Sequence, residues 1–177
     1  MQGSVTYKQS LSARLNLMKP CQNDIKRFIA EHPPQLTPSM KELAKCLHKR
    51  KIPIYLISGG FTCIIEMVAK SLDIPKENIF ANKLLFYYDG KYAGFDEAQP
   101  TSETGGKPKV IQQLKDVFGY KQVVHIGDGV TDMEACPPAD AFIGFGGNQI
   151  REKVKNGSRW FVKDMTELIN VLQQETN

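Results

Sequence analysis

The chain has 177 residues, 41% of them hydrophobic and 24% charged, with a net charge of +4; this suits one well-buried globular domain and is short for two. The basic residues are densest at Lys45 to Lys51, but with no interleaved aromatics and no binding motif this cluster reads as a solvated helix end and excludes a nucleic-acid partner. No apolar run is long enough to span a membrane, and the cysteines at 21, 46, 63 and 136 form no Cys-x-x-Cys pair, so with no signal-like start they read as reduced thiols of a cytoplasmic protein, not a disulfide frame or a zinc site.

Taken in chain order, helix-like and strand-like segments alternate, the pattern of helices packed on a mostly parallel sheet. Helical spacing runs over residues 5–18 and again over 22–31, where Pro33-Pro34 stops it. Thr37 is a candidate cap with Pro38 at the first helical position, predicting a helix to about Lys49. Ile52 to Ile57 predicts a short apolar strand. Phe61, Ile64, Ile65, Val68, Ala69 and Leu72 then recur at helical intervals, which puts Ser58 to Gly60 in a strand-to-helix turn.

Leu84 to Tyr88, Asp89-Gly90 and Tyr92 to Phe95 predict a β-hairpin. Pro108 opens a helix whose apolar stripe is Val110, Ile111, Leu114, Val117 and Phe118, ended by Gly119. Strands are expected at 123–126, 141–145 and 160–162, and a closing helix at 165–174.

Three local features carry chemistry. A glycine pair beside Ser58 at a helix start leaves backbone N–H groups open to a phosphoryl oxygen, although the same turn also has a purely structural reading. Lys107, at a helix N-terminus, can neutralise charge on such an oxygen, or can simply be solvated. Asp128, in Gly127-Asp128-Gly129, lies at the carboxyl end of an apolar strand, where open α/β sheets place ligands. Asp132 follows four residues later, close enough to share a cation or to orient Asp128 and its neighbours. Two carboxylates in a crevice of small residues suit a hard cation such as Mg²⁺.

These residues resemble the haloacid dehalogenase superfamily of phosphatases, in particular its members of animal type. The stretches that carry the likeness are Leu56-Ile57-Ser58-Gly59-Gly60-Phe61, Tyr92-Ala93-Gly94-Phe95-Asp96-Glu97, Gly105-Gly106-Lys107, Ile126-Gly127-Asp128-Gly129, Thr131-Asp132-Met133-Glu134-Ala135 and 139–147. The resemblance implies an α/β fold: a haloacid dehalogenase-like Rossmannoid sheet with helices on both faces, a β-hairpin excursion and a partial helical cap. Residues 1–35 would be the cap remnant and 36–177 the core.

By the same resemblance the reaction is Mg²⁺-dependent hydrolysis of the small molecule O-phospho-L-serine to L-serine and phosphate, the last step of serine synthesis. Ser58, Gly59 and Gly60 would bind the phosphoryl group and substrate, Lys107 would steady an aspartyl-phosphate, and Thr131 would contact the substrate on its phosphate side. Asp128 would be the metal ligand and Asp132 its acidic companion. Met1 and Gly3 would line the pocket from a flap, in which Gln2 departs from the usual glycine and Tyr7 from the usual phenylalanine. Arg14 would pair with the substrate carboxylate, a bidentate task suited to arginine. A homodimer is compatible with the family.

The family's first strand carries Asp-x-Asp, whose first carboxylate attacks phosphorus while the second acts as acid and base. These 177 residues contain no Asp-x-Asp. The sequence starts inside the cap, so the expectation is a family enzyme whose first central strand is missing here and which is inactive as it stands. Two readings stay open beside it: a non-catalytic paralogue that binds the same ligand or a partner, and a phosphatase for another small phosphomonoester.

Overall fold

The computed structural model describes residues 5–174. Helix α1, Tyr7–Met18, starts at a reciprocal cap in which the Thr6 hydroxyl accepts from the Gln9 N–H at 3.2 Å and Gln9 Oε1 accepts from the Thr6 N–H at 2.9 Å. It buries Leu11 and Leu15, one turn apart. Helix α2, Gln22–Glu31, begins where Asp24 accepts the Cys21 N–H at 2.9 Å, and buries no residue.

Helix α3, Met40–Lys49, starts three residues after the expected cap at Thr37. The reason is Ser39, whose φ of 61° is left-handed and interrupts the helical path that Pro38 would otherwise open. Thr37 instead closes a turn, its carbonyl accepting the Met40 N–H at 3.1 Å.

Strand β1 is Leu56–Phe61, not 52–57. Pro53 has no N–H to give a sheet, so residues 52–55 are an unpaired lead-in. Ser58 to Gly60 therefore lie inside the strand rather than in a turn after it: β1 pairs in parallel with β2, Ile79–Asn82, through Leu56, Ile57 and Phe61, and the register shifts between Ile57 and Phe61. The extra residues bow out as a bulge, which the two glycines tolerate. Helix α4, Thr62–Ser71, follows directly.

The hairpin forms as expected from β3, Leu84–Phe86, and β4, Tyr92–Phe95, and Gly90 at its turn has φ 82°. Helix α5, Gly106–Phe118, ends at Gly119 with φ 68°. Val110, Ile111 and Leu114 are buried, but Val117 and Phe118 are 67% and 58% exposed, so the apolar stripe outruns the core. The chain continues through β5, Val124–Gly127; α6, Val130–Met133; β6, Ala141–Phe145; α7, Glu152–Gly157; β7, Trp160–Val162; and α8, Thr166–Gln174.

The parallel strands form two separate pieces, β1-β2 and β5-β6-β7, and among the described residues β1 and β5 are not hydrogen-bonded. Helices span the interval on both faces. Adjacent residues of a strand point to opposite sides; Leu56 packs against the cluster that includes Ala44 of α3, while Ile57 and Val123, just before β5, both pack against the cluster of Ile111 on α5, Ala135 and Ala139. Helix α3 also sends Leu43 to the other piece, against Ile143, Phe145 and Val162. The slot between β1 and β5, where the family's first strand is expected, is bridged by helix packing and not by strand pairing among the described residues.

Candidate functional site

The carboxyl half of β1 and helix α6 meet the start of α5 around one cavity of about 190 Å³. Its walls include Tyr7, Gly59, Thr101, Lys107 and Thr131. Lys107 reaches this place because Gly106 allows the first turn of α5 to lie on the 3-10 turn Pro100–Ser102, where a Cβ would overlap the Pro100 carbonyl. Gly127 serves the same purpose at the end of β5, since a side chain there would collide with the Asp132 carboxyl.

Asp132 is the most heavily engaged group in the site. Its Oδ1 accepts from Lys107 Nζ and from His125 Nε2, the latter at 2.9 Å, and its Oδ2 accepts from the Gly129 N–H at 3.0 Å. Its side chain is 10% exposed and that of Lys107 19%. Burial pushes the Asp132 carboxyl up, but the hydrogen bonds from His125 and Lys107, the Lys107 charge and the Gly129 N–H outweigh it and hold the group at about 2. With both oxygens occupied by protein donors, Asp132 fits the orienting alternative better than the cation-sharing one. It fastens α5, β5 and the β5–α6 loop to one another.

Substituting Asp132→Asn is expected to cost roughly 3–5 kcal/mol in denaturant unfolding, because Lys107 keeps its charge in a poorly hydrated place and one amide face now meets the Gly129 N–H donor to donor. The pH dependence has a fixed sign. The folded carboxyl titrates below its ordinary value of 3.8, so its stabilisation is fully present above that value and disappears as pH falls toward about 2. The stability gap between the parent and Asp132→Asn should close over that interval, and a gap that stays constant would contradict it.

Asp128 has a different environment. Its Oδ2 is paired with Arg151, whose Nη1 also donates to the Asp128 carbonyl at 2.8 Å. Among the described residues Asp128 Oδ1 has no donor, and the side chain is partly exposed. No group of three or more His, Cys, Asp or Glu side chains able to hold a metal occurs among the described residues.

Of the other expected residues, Gly59, Lys107, Thr131 and Tyr7 come together on the cavity wall. Ser58 lies beside it, its hydroxyl accepting the Gly60 N–H at 3.0 Å. Arg14 is two turns along α1 from Tyr7, exposed, with Nε donating to the Ser10 carbonyl at 3.2 Å, and is not part of the cavity lining. Met1 and Gly3 lie outside the described residues. His125, Arg151 and Asn82 belong to the site and were not expected. A polar residue at the centre of the apolar run 123–126 was the available signal for His125; Arg151, 23 residues from Asp128, had none.

A model of the haloacid dehalogenase-like hydrolase family matches residues 2–140. The phosphoserine phosphatase of Bos taurus is 54% identical over 174 residues, covering 98% of this chain and 77% of that protein. The chloroplastic phosphoserine phosphatase of Arabidopsis thaliana is 47% identical over 174 residues, 97% of this chain and 59% of that protein. Among solved structures, a phosphoserine phosphohydrolase-like protein from Francisella tularensis superposes with a TM-score of 0.80 at 31% identity, covering 97% of this chain and 79% of its own. A substrate-bound phosphoserine phosphatase complex superposes with a TM-score of 0.77 at 22% identity, covering 97% and 80%, a likeness of fold.

Proposed function

The chain belongs to the haloacid dehalogenase-like hydrolases, and on that premise we propose that it is the core and partial cap of a phosphoserine phosphatase, which hydrolyses O-phospho-L-serine to L-serine and phosphate in serine biosynthesis. The observation that carries this reading is the convergence of Gly59, Lys107 and Thr131 on one cavity, with Lys107 held by Asp132. Residues 1–35 are the cap side of the site and 36–177 the core. The high identity to animal relatives over nearly the whole chain supports the same reading.

In the proposed site the Gly59-Gly60 segment and Lys107 face the phosphoryl group, and Thr131 contacts it from the first turn of α6. Asp132 keeps Lys107 aimed. Arg14, on the same side of α1 as Tyr7, is the candidate for the substrate carboxylate. Met1 and Gly3 would extend the cap over the pocket. Mg²⁺ would be held by Asp128 in exchange for Arg151, and the chemistry it supplies when bound is neutralisation of phosphoryl-oxygen charge. One free carboxylate oxygen fits a cation that keeps several waters, as one ligand of a larger set.

The absence of Asp-x-Asp from these residues, together with the Asp128–Arg151 pair, favours a second reading in which this stretch by itself binds the ligand without turning it over. Both readings require recognition of the phosphate. Calorimetry or ligand-observed NMR should find O-phospho-L-serine bound about tenfold more tightly than L-serine, the worth of one charge-assisted hydrogen bond. Equal binding of the two on folded protein would remove the proposal. Arg14→Ala should weaken O-phospho-L-serine and leave inorganic phosphate unchanged; equal loss of both would favour another phosphomonoester as substrate.

A further inference from the structure

The peptide joining Gly59 to Gly60 is held from both ends. Its carbonyl accepts from the Tyr7 hydroxyl at 3.0 Å and from Asn82 Nδ2 at 2.8 Å, and its N–H donates to Ser58 Oγ at 3.0 Å. A peptide unit is planar, so whatever turns the carbonyl turns the N–H with it. Two donors fill the two lone pairs of the carbonyl.

These two donors are not equivalent. Asn82 is wholly buried, on β2, and its Oδ1 accepts from the Thr101 hydroxyl at 3.0 Å. Its orientation is settled by that network, since the flipped amide would set oxygen against the Gly59 carbonyl. Asn82 is therefore a fixed support inside the core. Tyr7 comes from outside the sheet, as the first residue of α1, with its ring against the cluster of Leu11, Leu15 and Phe95. The other tie at this end of α1, Lys8 to Glu97, has side chains 32% and 67% exposed and contributes little.

We infer that the Tyr7 hydroxyl is a latch: it couples the seating of α1 to the direction of the Gly59–Gly60 peptide, and so makes Tyr7 a positioning residue for the β1 backbone at the cavity wall, where Gly59 lies. If α1 lifts, the Gly59 carbonyl loses one donor but keeps Asn82, so no buried acceptor is orphaned. At this peptide, opening then costs one net hydrogen bond rather than a full desolvation penalty, in addition to the apolar burial of Leu11, Leu15 and the Tyr7 ring that seats α1. A space this close also limits Gly59 itself, because a Cβ there would stand 2.6 Å from the Tyr7 hydroxyl. The consequence for catalysis rests on the phosphoryl-site reading; the coupling does not.

Site-resolved amide exchange on the 177-residue chain tests the coupling. Tyr7→Phe removes the hydroxyl and keeps the ring. It should speed exchange of the α1 amides and of the Gly60 N–H together, each by roughly two- to tenfold, while β5, β6 and β7 stay as they were. Lys8→Met should leave the Gly60 N–H unchanged. Unchanged Gly60 exchange in folded Tyr7→Phe would overturn the inference, as would equal acceleration throughout the chain. Failure of Tyr7→Phe to fold under conditions chosen so that the parent chain keeps several kcal/mol of stability would overturn it too, because a latch of this strength does not carry the fold. Inorganic phosphate, added separately to the parent chain, tests the phosphoryl reading: slower Gly60 exchange supports that reading, and no effect counts against it without touching the latch.

Discussion

These 177 residues alone are expected to hydrolyse neither O-phospho-L-serine nor p-nitrophenyl phosphate above background, with or without Mg²⁺. The family's chemistry begins with attack on phosphorus by an aspartate, and three of the carboxylates at or near the cavity are engaged elsewhere, while Glu134 on its wall is not an aspartate. Asp132 accepts from three protein donors, Asp128 is paired with Arg151, and Glu103 accepts from Lys109 at 2.6 Å. Loss of a nucleophile from a catalytic unit costs a factor on the order of 10⁶ in rate, far more than any other change proposed for this site. Steady-state assays with release of inorganic phosphate would check it. Mg²⁺-dependent turnover that Asp128→Asn abolishes would show that another group supplies the attack.

The second large effect concerns the slot between β1 and β5. Both strands carry an edge with no strand partner among the described residues, and such edges invite association. A strand that filled the slot would bury perhaps four aliphatic side chains at about 1.5–3 kcal/mol each, comparable with the whole net stability of a domain at roughly 5–15 kcal/mol. The chain alone is therefore expected to be marginally folded or self-associating. An extended peptide with the family's first-strand pattern, present at a hundred times its Kd, should stabilise it by about 3 kcal/mol. For a chain of this size that is a rise in melting temperature of about 5–11 °C. A sharp, cooperative transition from a monomer, indifferent to the peptide, would mean that the helices over the slot suffice by themselves.

Much of this architecture was legible in residue order. Periodicity located α1, α2 and α4 to within two residues, Asp89-Gly90 marked the hairpin turn, and Gly119 marked the end of α5, because caps, turns and amphipathic spacing are local effects. Two elements were misplaced for reasons that are also local but easily overlooked. Pro53 removed a ladder donor and moved β1 toward Phe61, and the left-handed Ser39 delayed α3. The four-residue strand β2 had not been expected; it is defined by its pairing with β1.

Within the site the same division holds. The chemistry of Lys107, Asp128 and Asp132 could be proposed from residue type and spacing, since glycines beside a carboxylate at a strand end have few other uses. What each of them does was decided by groups far away in the chain. Lys107 is 25 residues from Asp132, Arg151 is 23 from Asp128, and Tyr7 is 52 from the Gly59 carbonyl it holds. Sequence by itself determined which segments could form helices and strands and which residues could handle phosphate, because backbone propensity and side-chain chemistry are properties of neighbours. Only the tertiary structure decided that Asp132 accepts from Lys107, that Asp128 faces an arginine, and that the Tyr7 hydroxyl on α1 reaches the Gly59 carbonyl, because hydrogen bonds form between groups that folding brings within about 3 Å, whatever their separation along the chain.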